Sequence, residues 1–354
     1  MALIGKKTKD KDPKVDSKNV RVAMYWHEIG VGKVECELCP HRCKLQEDQS
    51  GICGVRKNIG GKLHTLVYGL SSSFHADPIE KKPLYNFYPG SKVMSFGTVG
   101  CNFRCLHCQN FQISQVRPDD HSLQNISIKD IINFTKNTDC KGIAWTYNEP
   151  TIWYEFTLDG CRAAKAEDLY TVYVSNGYIN EKPLREIAPY LDAMNIDVKA
   201  GTDEFYKKVC KGERKHVLET CELAHKLKIH LELTYLIIPG FNDKEEELKE
   251  FADWAVNSLS PEVPVHYSRF HPDYKMTDLD GTPMETLEMA YNISKKAGSE
   301  FIYVGNVVHG DHENTYCPKC NNLLIKRVGY STSVVGLKGN TCKSCSKKVP
   351  ILGV

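Results

Sequence analysis

The sequence lacks any long hydrophobic run. Its 354 residues contain no apolar stretch near the ~20 residues that a membrane-spanning helix needs. The longest apolar stretch, "LTYLIIPGF" (233–241), has only the length of a strand. No charged and then apolar signal sequence opens the chain. We therefore expect a cytoplasmic protein with no membrane partner.

A strong net charge is also missing. Lysine and arginine number 46 against 44 aspartates and glutamates, which leaves a net charge of +2. Such a balance gives no general electrostatic reason to bind nucleic acid, and we expect no such partner. The exception is the lysine-rich start, residues 1–20, where a nucleic-acid-binding tail is one interpretation. We favour the other, a solvated and disordered tail.

Cysteine, by contrast, is abundant, with fifteen residues. In a cytosolic protein, clustered cysteines indicate metal sites before disulfides. Eleven fall into three groups, which we call the first group (Cys36, Cys39, Cys43, Cys53), the trio (Cys101, Cys105, Cys108) and the last group (Cys317, Cys320, Cys342, Cys345). The other four are scattered among helix and strand patterns and are predicted to be buried apolar side chains: Cys140, Cys161, Cys210 and Cys221.

Strand-like and helix-like segments alternate between the first and last groups. Seven strand patterns run from "KVMSFGTVG" (92–100) to "FIYVGNVV" (301–308), with helix patterns between them. This alternation predicts an α/β fold with parallel strands, a partial (β/α)6-type TIM barrel. We expect a barrel over residues 91–310, a small cysteine-rich accessory domain over 21–90 and a zinc-ribbon-like domain over 311–354.

Polar residues recur where the predicted strands end, which is where barrels place their sites. They are Asn148 with Glu149, Ser175 with Asn176, Asp197 with Lys199, and His271. In "NIDVKA" the period of two puts Asn195, Asp197 and Lys199 on one face. A polar row facing a barrel interior is costly unless it binds something. The alternative is an internal ion pair between Asp197 and Lys199.

The last group consists of "CPKC" and "CKSC". Two such knuckles give four thiolates, which complete a tetrahedron and close the site, so we predict a structural zinc ribbon. A redox dithiol pair or an iron site is the alternative.

The first group, "CELCPHRC" and "GICG", fits a four-cysteine zinc site and also a second 4Fe-4S cluster, and His41 is a further candidate ligand. Spacing alone does not choose between them. We favour zinc, because structural zinc is the commoner use of four local cysteines.

The trio, "CNFRCLHC", has no fourth cysteine nearby in the sequence. Cysteines at i, i+4 and i+7 after the first barrel strand can hold three corners of a 4Fe-4S cube and leave one iron without a protein ligand. This pattern resembles the CxxxCxxC motif of the radical S-adenosylmethionine (SAM) superfamily. That resemblance implies that the open iron is chelated by SAM, which is cleaved to methionine and a 5'-deoxyadenosyl radical.

The same resemblance implies roles for the strand-end residues. Glu149 and its neighbour Asn148, in "TYNEP", are similar to the segment that binds the methionine amine, although Tyr147 and Asn148 replace two small residues. Ser175 and Asn176 resemble ribose and carboxylate contacts, and Ile238 and Gly240 of "IIPGFND" resemble the adenine-packing segment. Asp197, Lys199 and His271 resemble active-site residues of the glycyl-radical-activating branch. His107 stands where a larger aromatic usually borders adenine, and its flat imidazole can still stack there.

Within the superfamily the chain is most similar to the AmmeMemoRadiSam-system radical enzyme, also described as pyruvate formate-lyase-activating-enzyme-like. The carriers are "CELCPHRC", "GICGVR", "DPIEKKPL", "GTVGCNFRCLHCQN", "TYNEPT", "DVKA" and "NTYCPKC", from about residue 25 to the end. The resemblance implies reduced ferredoxin or flavodoxin as electron donor and a functional link to a Memo-family protein.

Three hypotheses follow. The favoured one is a radical SAM enzyme that abstracts hydrogen from an unidentified protein or small-molecule substrate. The second keeps this chemistry and makes the target the glycine of a glycyl-radical enzyme. The third is a non-catalytic zinc-binding scaffold, which does not explain a trio without a fourth ligand.

Overall fold

The structure is a computed structural model in which residues 17–307 and 311–354 are described. Most of the predicted lysine-rich tail, residues 1–16, therefore lies outside the described residues. The rest of that range is docked onto the protein, because the buried side chain of Asn19 donates a hydrogen bond to the carbonyl of Tyr68 at 2.8 Å. No helix in the described residues is both long enough and apolar enough to cross a bilayer.

The N-terminal part forms small antiparallel sheets. One has the strand order β1-β6-β5 and another the order β2-β3-β4. The strands are β1 (Arg21–Val22), β2 (Trp26–Gly30), β3 (Lys33–Cys36), β4 (Lys44–Leu45), β5 (Arg56–Ile59), β6 (Lys62–Thr65) and β7 (Leu70–Ser71). The first cysteine group lies at the end of β3 and in the two turns on either side of β4.

A mixed eight-stranded sheet forms the centre of the molecule, in the order β8-β9-β11-β12-β13-β14-β15-β16. Its strands are β8 (Ser73–Pro78), β9 (Lys92–Gly97), β11 (Gly142–Trp145), β12 (Tyr170–Ser175), β13 (Ala193–Asp197), β14 (His230–Ile237), β15 (Val265–Arg269) and β16 (Ile302–Gly305), while the short β10 (Gln124–Asn125) pairs with β7. The end strands β8 and β16 are not paired with each other in the described chain, so this is a partial barrel.

Seven of the eight strands, from β9 to β16, run parallel in chain order, and β8 runs antiparallel beside β9. The predicted α/β alternation is confirmed. The structure differs from the prediction in β8, which belongs to the central sheet although its residues fall in the range expected for the accessory domain. No α-helix separates β8 from β9, so the pattern of alternation gave no sign of this pairing.

Helices connect the parallel strands. The α-helices are α1 (Phe111–Ser114), α2 (Ile128–Asn137), α3 (Tyr154–Lys165), α4 (Glu181–Ile187), α5 (Asp203–Phe205), α6 (Arg214–Lys226), α7 (Glu245–Trp254) and α8 (Met284–Ala297). Short 3-10 turns cover Ser17–Asn19, Ile79–Lys81, Pro118–Asp120, Pro150–Trp153, Ala188–Tyr190 and Asp311–Glu313. Two π-helical turns, Tyr206–Cys210 and Ala255–Leu259, extend α5 and α7. Such turns are rare and often occur at functional sites.

The segment 79–91, between β8 and β9, closes the barrel at the amino ends of the strands. The buried carboxylate of Glu232, on β14, accepts hydrogen bonds from the backbone amides of Tyr85 at 3.0 Å and Asn86 at 2.7 Å. The side chain of Asn195 donates to the carbonyl of Pro83 at 2.7 Å. We call this the lower end, and the carboxyl ends of the strands the upper end.

The C-terminal region packs against the lower end. Its strands are β17 (Thr315–Tyr316), β18 (Leu323–Val328), β19 (Ser331–Val334), β20 (Leu337–Lys338) and β21 (Thr341–Cys342). Leu324 and Ile325 share a buried cluster with Tyr85 and Tyr303 of the barrel. The ammonium of Lys347 also pairs with Glu300 at 2.9 Å. The last cysteine group therefore belongs to the region at the lower end, away from the carboxyl ends of the strands.

Candidate functional site

The trio occupies the loop that follows β9 at the upper end. This loop is fixed from below by the π-helical turn, because the amide of Arg104 donates to the carbonyl of Cys210 at 2.8 Å and that of Leu106 to Val209 at 3.1 Å. Gly100 has a φ of +87°, and a Cβ there would lie 2.5 Å from the carbonyl oxygen of Cys53. Only glycine fits this close approach of the first group to the trio.

The surroundings of the trio suit sulfur ligands of a metal cluster. The amide of Phe103 donates to Sγ of Cys101 at 3.3 Å, and the hydroxyl of Ser114 lies 3.0 Å from Sγ of Cys108. At least one pair of trio Sγ atoms is more than 4.8 Å apart. A single tetrahedral ion would bring thiolates to within about 3.8 Å of one another, whereas the corners of a cube hold them farther apart. The trio thus fits an iron–sulfur cube.

Glu149 connects the polar ends of two strands. Its buried carboxylate accepts hydrogen bonds from the hydroxyl of Ser175 at 2.9 Å and the amide of Asn176 at 2.8 Å. Burial raises the pKa of Glu149, although these bonds and those from Thr151 act against it. The side-chain amide of Asn176 in turn lies 3.7 Å from Sγ of Cys101. The predicted residues Glu149, Ser175 and Asn176 are therefore brought together beside the trio.

Asn148 binds the trio loop from the other side. Its side chain donates to the carbonyl of Gly100 at 2.8 Å and accepts from the amide of Thr98 at 3.1 Å. Tyr147 adopts a left-handed backbone with a φ of +73°, and its hydroxyl donates to Asp77 at 2.7 Å. Its ring therefore does not compete with Glu149 for the same space. Beside it opens a cavity of about 410 Å³, which Tyr147 and Asp77 line together with Asn110.

Asp197 and Lys199 form the ion pair that was the alternative to a binding role, with 2.9 Å between Nζ and Oδ2. Burial alone would lower the pKa of Lys199, but Asp197, Cys105 and Cys210 raise it, so the ammonium stays charged. The pair also lies next to the trio, so the two interpretations are compatible. Asn195, on the same face, is instead satisfied by Pro83 and Thr234 within the fold.

Cys210 is buried as predicted, but it is more than an apolar filler. The neighbouring thiol of Cys210, together with burial, raises the pKa of Cys105 well above the usual value. The prediction missed this contact because the π-helical turn that carries Cys210 is brought to the trio by long-range packing.

The two predicted histidines occupy different surroundings. His107 is 5% exposed, and burial and Lys199 lower the pKa of its imidazole to about 3, so it is neutral. Its Nδ1 has no hydrogen-bond partner among the described residues. His271 is exposed, and its Nε2 lies 2.9 Å from the side-chain nitrogen of Gln109, the residue after the trio. Both therefore adjoin the trio loop.

The segment with Ile238 and Gly240 follows β14 at the same end. Ile238 is buried, and its amide donates to Oδ1 of Asn242 at 2.6 Å. Asn242 also donates to the carbonyl of Lys199 at 2.7 Å. Gly240 has a φ of +75° in an exposed turn. The segment is thus held to the strand end that carries Lys199 through Asn242, which the sequence analysis did not single out.

Asn102 is a second residue that the sequence analysis missed. Its buried side chain donates to the carbonyl of Tyr178 at 2.8 Å and accepts from the amide group of Asn176 at 2.8 Å. Its own carbonyl lies 2.7 Å from Nε2 of His41, in the first group's loop. Asn102 therefore connects both cysteine groups of the upper end, and its place within the trio motif was the only signal.

The last group is the tightest set of thiols. Its four Sγ atoms all lie within 4.8 Å of one another, with 3.5 Å between Cys317 and Cys345 and 3.7 Å between Cys320 and Cys342. After each Cys-x-x-Cys pair the chain turns through a left-handed residue, Asn321 or Ser346. The two turns thus have matching form, and the group is consistent with a closed metal site.

Comparison with known proteins agrees with this geometry. Residues 96–254 match the family described as the Radical SAM superfamily. "Uncharacterized protein MJ0808" of Methanocaldococcus jannaschii is 44% identical over 335 residues, which cover 94% of this chain and 100% of that protein. Pyruvate formate-lyase 1-activating enzyme of Escherichia coli is 21% identical over 233 residues, which cover 61% of this chain and 93% of that enzyme.

Among solved structures, a radical SAM methyltransferase from Sphaerobacter thermophilus matches with a TM-score of 0.48 and 14% identity, over 62% of this chain and 67% of that one. The region that matches the Radical SAM superfamily begins at the end of β9 and contains the whole trio. Because MJ0808 is matched along its full length, the chain belongs to one family with that protein.

Proposed function

We propose that this protein reductively cleaves SAM to methionine and a 5'-deoxyadenosyl radical, which abstracts hydrogen from a substrate still to be identified. The observation that carries the proposal is the connected set at the upper end: Cys101, Asn176, Glu149 and Ser175 contact one another in series. Cys101, Cys105 and Cys108 would hold a 4Fe-4S cluster, which would supply the electron and leave one iron free to bind SAM.

The polar residues around the trio would hold SAM. Glu149 would offer its buried carboxylate to the methionine amine. Ser175 and Asn176, which hydrogen-bond to that carboxylate, would take ribose and carboxylate groups. Ile238, Gly240 and the neutral imidazole of His107 would border adenine. The unpartnered Nδ1 of His107 supports this role, since a buried polar atom without a partner is costly unless a ligand satisfies it.

Asp197, Lys199 and His271 would act where the radical meets its substrate. Lys199 keeps its positive charge beside Asp197 and the trio. A fixed charge in a site shielded from water orients a polar substrate strongly. The cavity of about 410 Å³ beside Tyr147 offers space for a substrate group.

The second candidate is the activation of a glycyl-radical enzyme. It is supported by the similarity to the pyruvate formate-lyase 1-activating enzyme, which aligns over 61% of this chain. In this alternative the substrate is a glycine Cα–H on a partner protein. The match of residues 96–254 to the Radical SAM superfamily argues against the third hypothesis, a scaffold without catalysis.

Several finer assignments remain proposals: membership of the AmmeMemoRadiSam system, a functional link to a Memo-family protein, reduced ferredoxin or flavodoxin as electron donor, and a cytoplasmic location. We also propose that the last group binds zinc as a ribbon. Its Sγ pairs at 3.5 and 3.7 Å support this, because a tetrahedral zinc with Zn–S bonds near 2.3 Å places thiolates about 3.8 Å apart.

The decisive test measures 5'-deoxyadenosine after anaerobic reconstitution and addition of dithionite and SAM. The parent protein should form it, and Cys105→Ala should form none. Cys210→Ala is the matched control, because it removes the neighbouring thiol and should keep both cluster and product. Product formed by Cys105→Ala at the parent rate would contradict the proposal, and loss of product in Cys210→Ala would contradict ligation by three cysteines.

A further inference from the structure

The first cysteine group surrounds a small enclosed cavity. The cavity measures about 20 Å³ and is lined by all four thiols together with His41, Arg56 and Asn102. Cys36 and Cys53 are buried, and Cys39 and Cys43 are half-buried. A cavity of this size exceeds the roughly 10–15 Å³ that one water needs. The four cysteines thus line one shared space.

Sulfur spacing separates the first group from the last. The four Sγ atoms of the last group all lie within 4.8 Å of one another, and no three thiols of the first group form such a compact set within the described residues. A single zinc ion needs thiolates about 3.8 Å apart. The four ligands of a 4Fe-4S cube stand at its outer corners, on the order of 6 Å apart. The trio shares the wider spacing of the first group.

Arg56 gives an independent sign of a ligand. Its guanidinium is 2% exposed, lines the cavity, and donates to Glu155 at 2.9 Å and to the carbonyl of Met24. Its Nε–H has no partner among the described residues. An orphaned donor in a buried site costs free energy. An anionic cluster, whose sulfide and thiolate sulfur atoms accept hydrogen bonds, would satisfy it.

The cavity also adjoins the trio. Asn102, which lines it, is the residue next to Cys101, and the carbonyl of Cys53 packs on Gly100. The guanidinium of Arg104 in the trio loop donates to the carbonyl of Ile52. Three separate contacts therefore hold the first group against the trio loop, a position that a redox centre would use and a remote structural zinc would not need.

We propose that Cys36, Cys39, Cys43 and Cys53 bind a second 4Fe-4S cluster and not zinc. This replaces our expectation from the sequence, where the spacing of the cysteines left both alternatives open. The proposal concerns metal content alone and does not depend on cleavage of SAM.

The test removes the trio and asks what the rest of the chain still binds. The full chain with Cys101→Ala, Cys105→Ala and Cys108→Ala is reconstituted anaerobically with iron and sulfide in the presence of zinc. It should retain about four irons per chain and give an electron paramagnetic resonance signal of a reduced 4Fe-4S cluster after dithionite. Background iron with a second zinc per chain would overturn the proposal.

A second variant covers the case in which the triple substitution does not fold. Cys39→Ala in the otherwise unchanged chain should lose about half of the iron of the parent protein, and the matched control Cys221→Ala should lose none. Unchanged iron in Cys39→Ala, with a loss of zinc in its place, would refute the second cluster. Neither measurement uses 5'-deoxyadenosine, so a failure here and a failure of SAM cleavage are distinguishable.

Discussion

Two groups of four cysteines lie at opposite ends of the same barrel. The last group, at the lower end, has its thiols nearly in contact, and its region shares a buried cluster with Tyr85 and Tyr303. The first group, at the upper end, holds its thiols around a cavity and packs against the trio loop. The same residue type thus appears in two arrangements, one closed and one spaced.

The difference follows the general division of labour in barrels, in which the amino ends of the strands support stability and the carboxyl ends carry function. Two buried glutamates show the same contrast. Burial acts to raise the pKa of both, but hydrogen bonds from His230 and His266 lower that of Glu232, at the lower end, to about 2. At the upper end the pKa of Glu149 stays raised. Hydrogen bonds within the fold thus outweigh the effect of burial on the pKa at Glu232 and do not outweigh it at Glu149.

The largest expected effect is a loss of stability without a loss of catalytic activity, after a substitution in the last cysteine group. Cys345→Ala opens the last group, and we expect loss of zinc and a fall of several kcal/mol in the free energy of unfolding, since structural zinc sites stabilise small domains by roughly 10 kcal/mol or more. Iron content and SAM cleavage should persist at low temperature. Thermal unfolding and zinc analysis measure this, with Cys140→Ala as the control thiol outside all groups. An unchanged melting temperature would show that the lower site is not structural.

A pH titration tests the lower end next. The Glu232 carboxylate has a pKa of about 2 in the folded state, against about 4.3 when unfolded. Because the folded pKa is depressed, the carboxylate stabilises the protein above about pH 4.3, and this is lost as the pH falls towards 2. We expect Glu232→Gln to be about 3 kcal/mol less stable than the parent near pH 6 and to converge with it near pH 2.

Urea unfolding between pH 2 and 6 measures this difference. Curves that stay parallel over the whole range would contradict the assigned role of Glu232.

At the upper end, Glu149→Gln should weaken SAM binding. The substitution places an amide where the carboxylate accepts from Ser175, Asn176 and Thr151. It also removes the charge proposed to meet the methionine amine. A loss of about 2–3 kcal/mol corresponds to a roughly 30–100-fold higher dissociation constant. Equilibrium binding of SAM measures this, with the exposed Glu167→Gln as control. Equal affinity in the two variants would remove Glu149 from the site.

The smallest expected effect concerns the residue between the two upper cysteine groups. Asn102→Ala removes the side-chain donor to the carbonyl of Tyr178 and one of the partners of the Asn176 side chain, which costs about 1–2 kcal/mol. We also expect an altered electron paramagnetic resonance spectrum of the reduced protein, because Asn102 adjoins both sites. The exposed Asn257→Ala should change neither property. An unchanged spectrum in Asn102→Ala would contradict the proposal that Asn102 lies next to the proposed clusters.

The sequence was informative where local rules apply. The carboxyl ends of parallel strands meet at one edge, so the polar residues Glu149, Ser175 and Asn176 could be expected to lie close together, and they do. The two Cys-x-x-Cys knuckles of the last group are local turns whose form follows from their spacing.

Other features depend on packing between distant segments. Cys210 lies beside Cys105 only because the π-helical turn packs against the trio loop. The pairing of β8 with β9 could not be predicted from alternating strands and helices, because no α-helix lies between these two strands. The position of segment 79–91 at the lower end depends on Glu232, more than 140 residues away in the chain. The sequence left the identity of the metal at the first group undecided, because the spacing of cysteines along the chain does not determine the distances between their sulfur atoms.

The comparison of the two four-cysteine groups is tested most directly by counting metals in the anaerobically prepared parent protein. With cubes at the trio and at the first group and a closed tetrahedral site at the last group, we predict about eight irons and about one zinc per chain. About four irons with about two zincs would contradict the account, because it would make the spaced and the closed thiol groups equivalent.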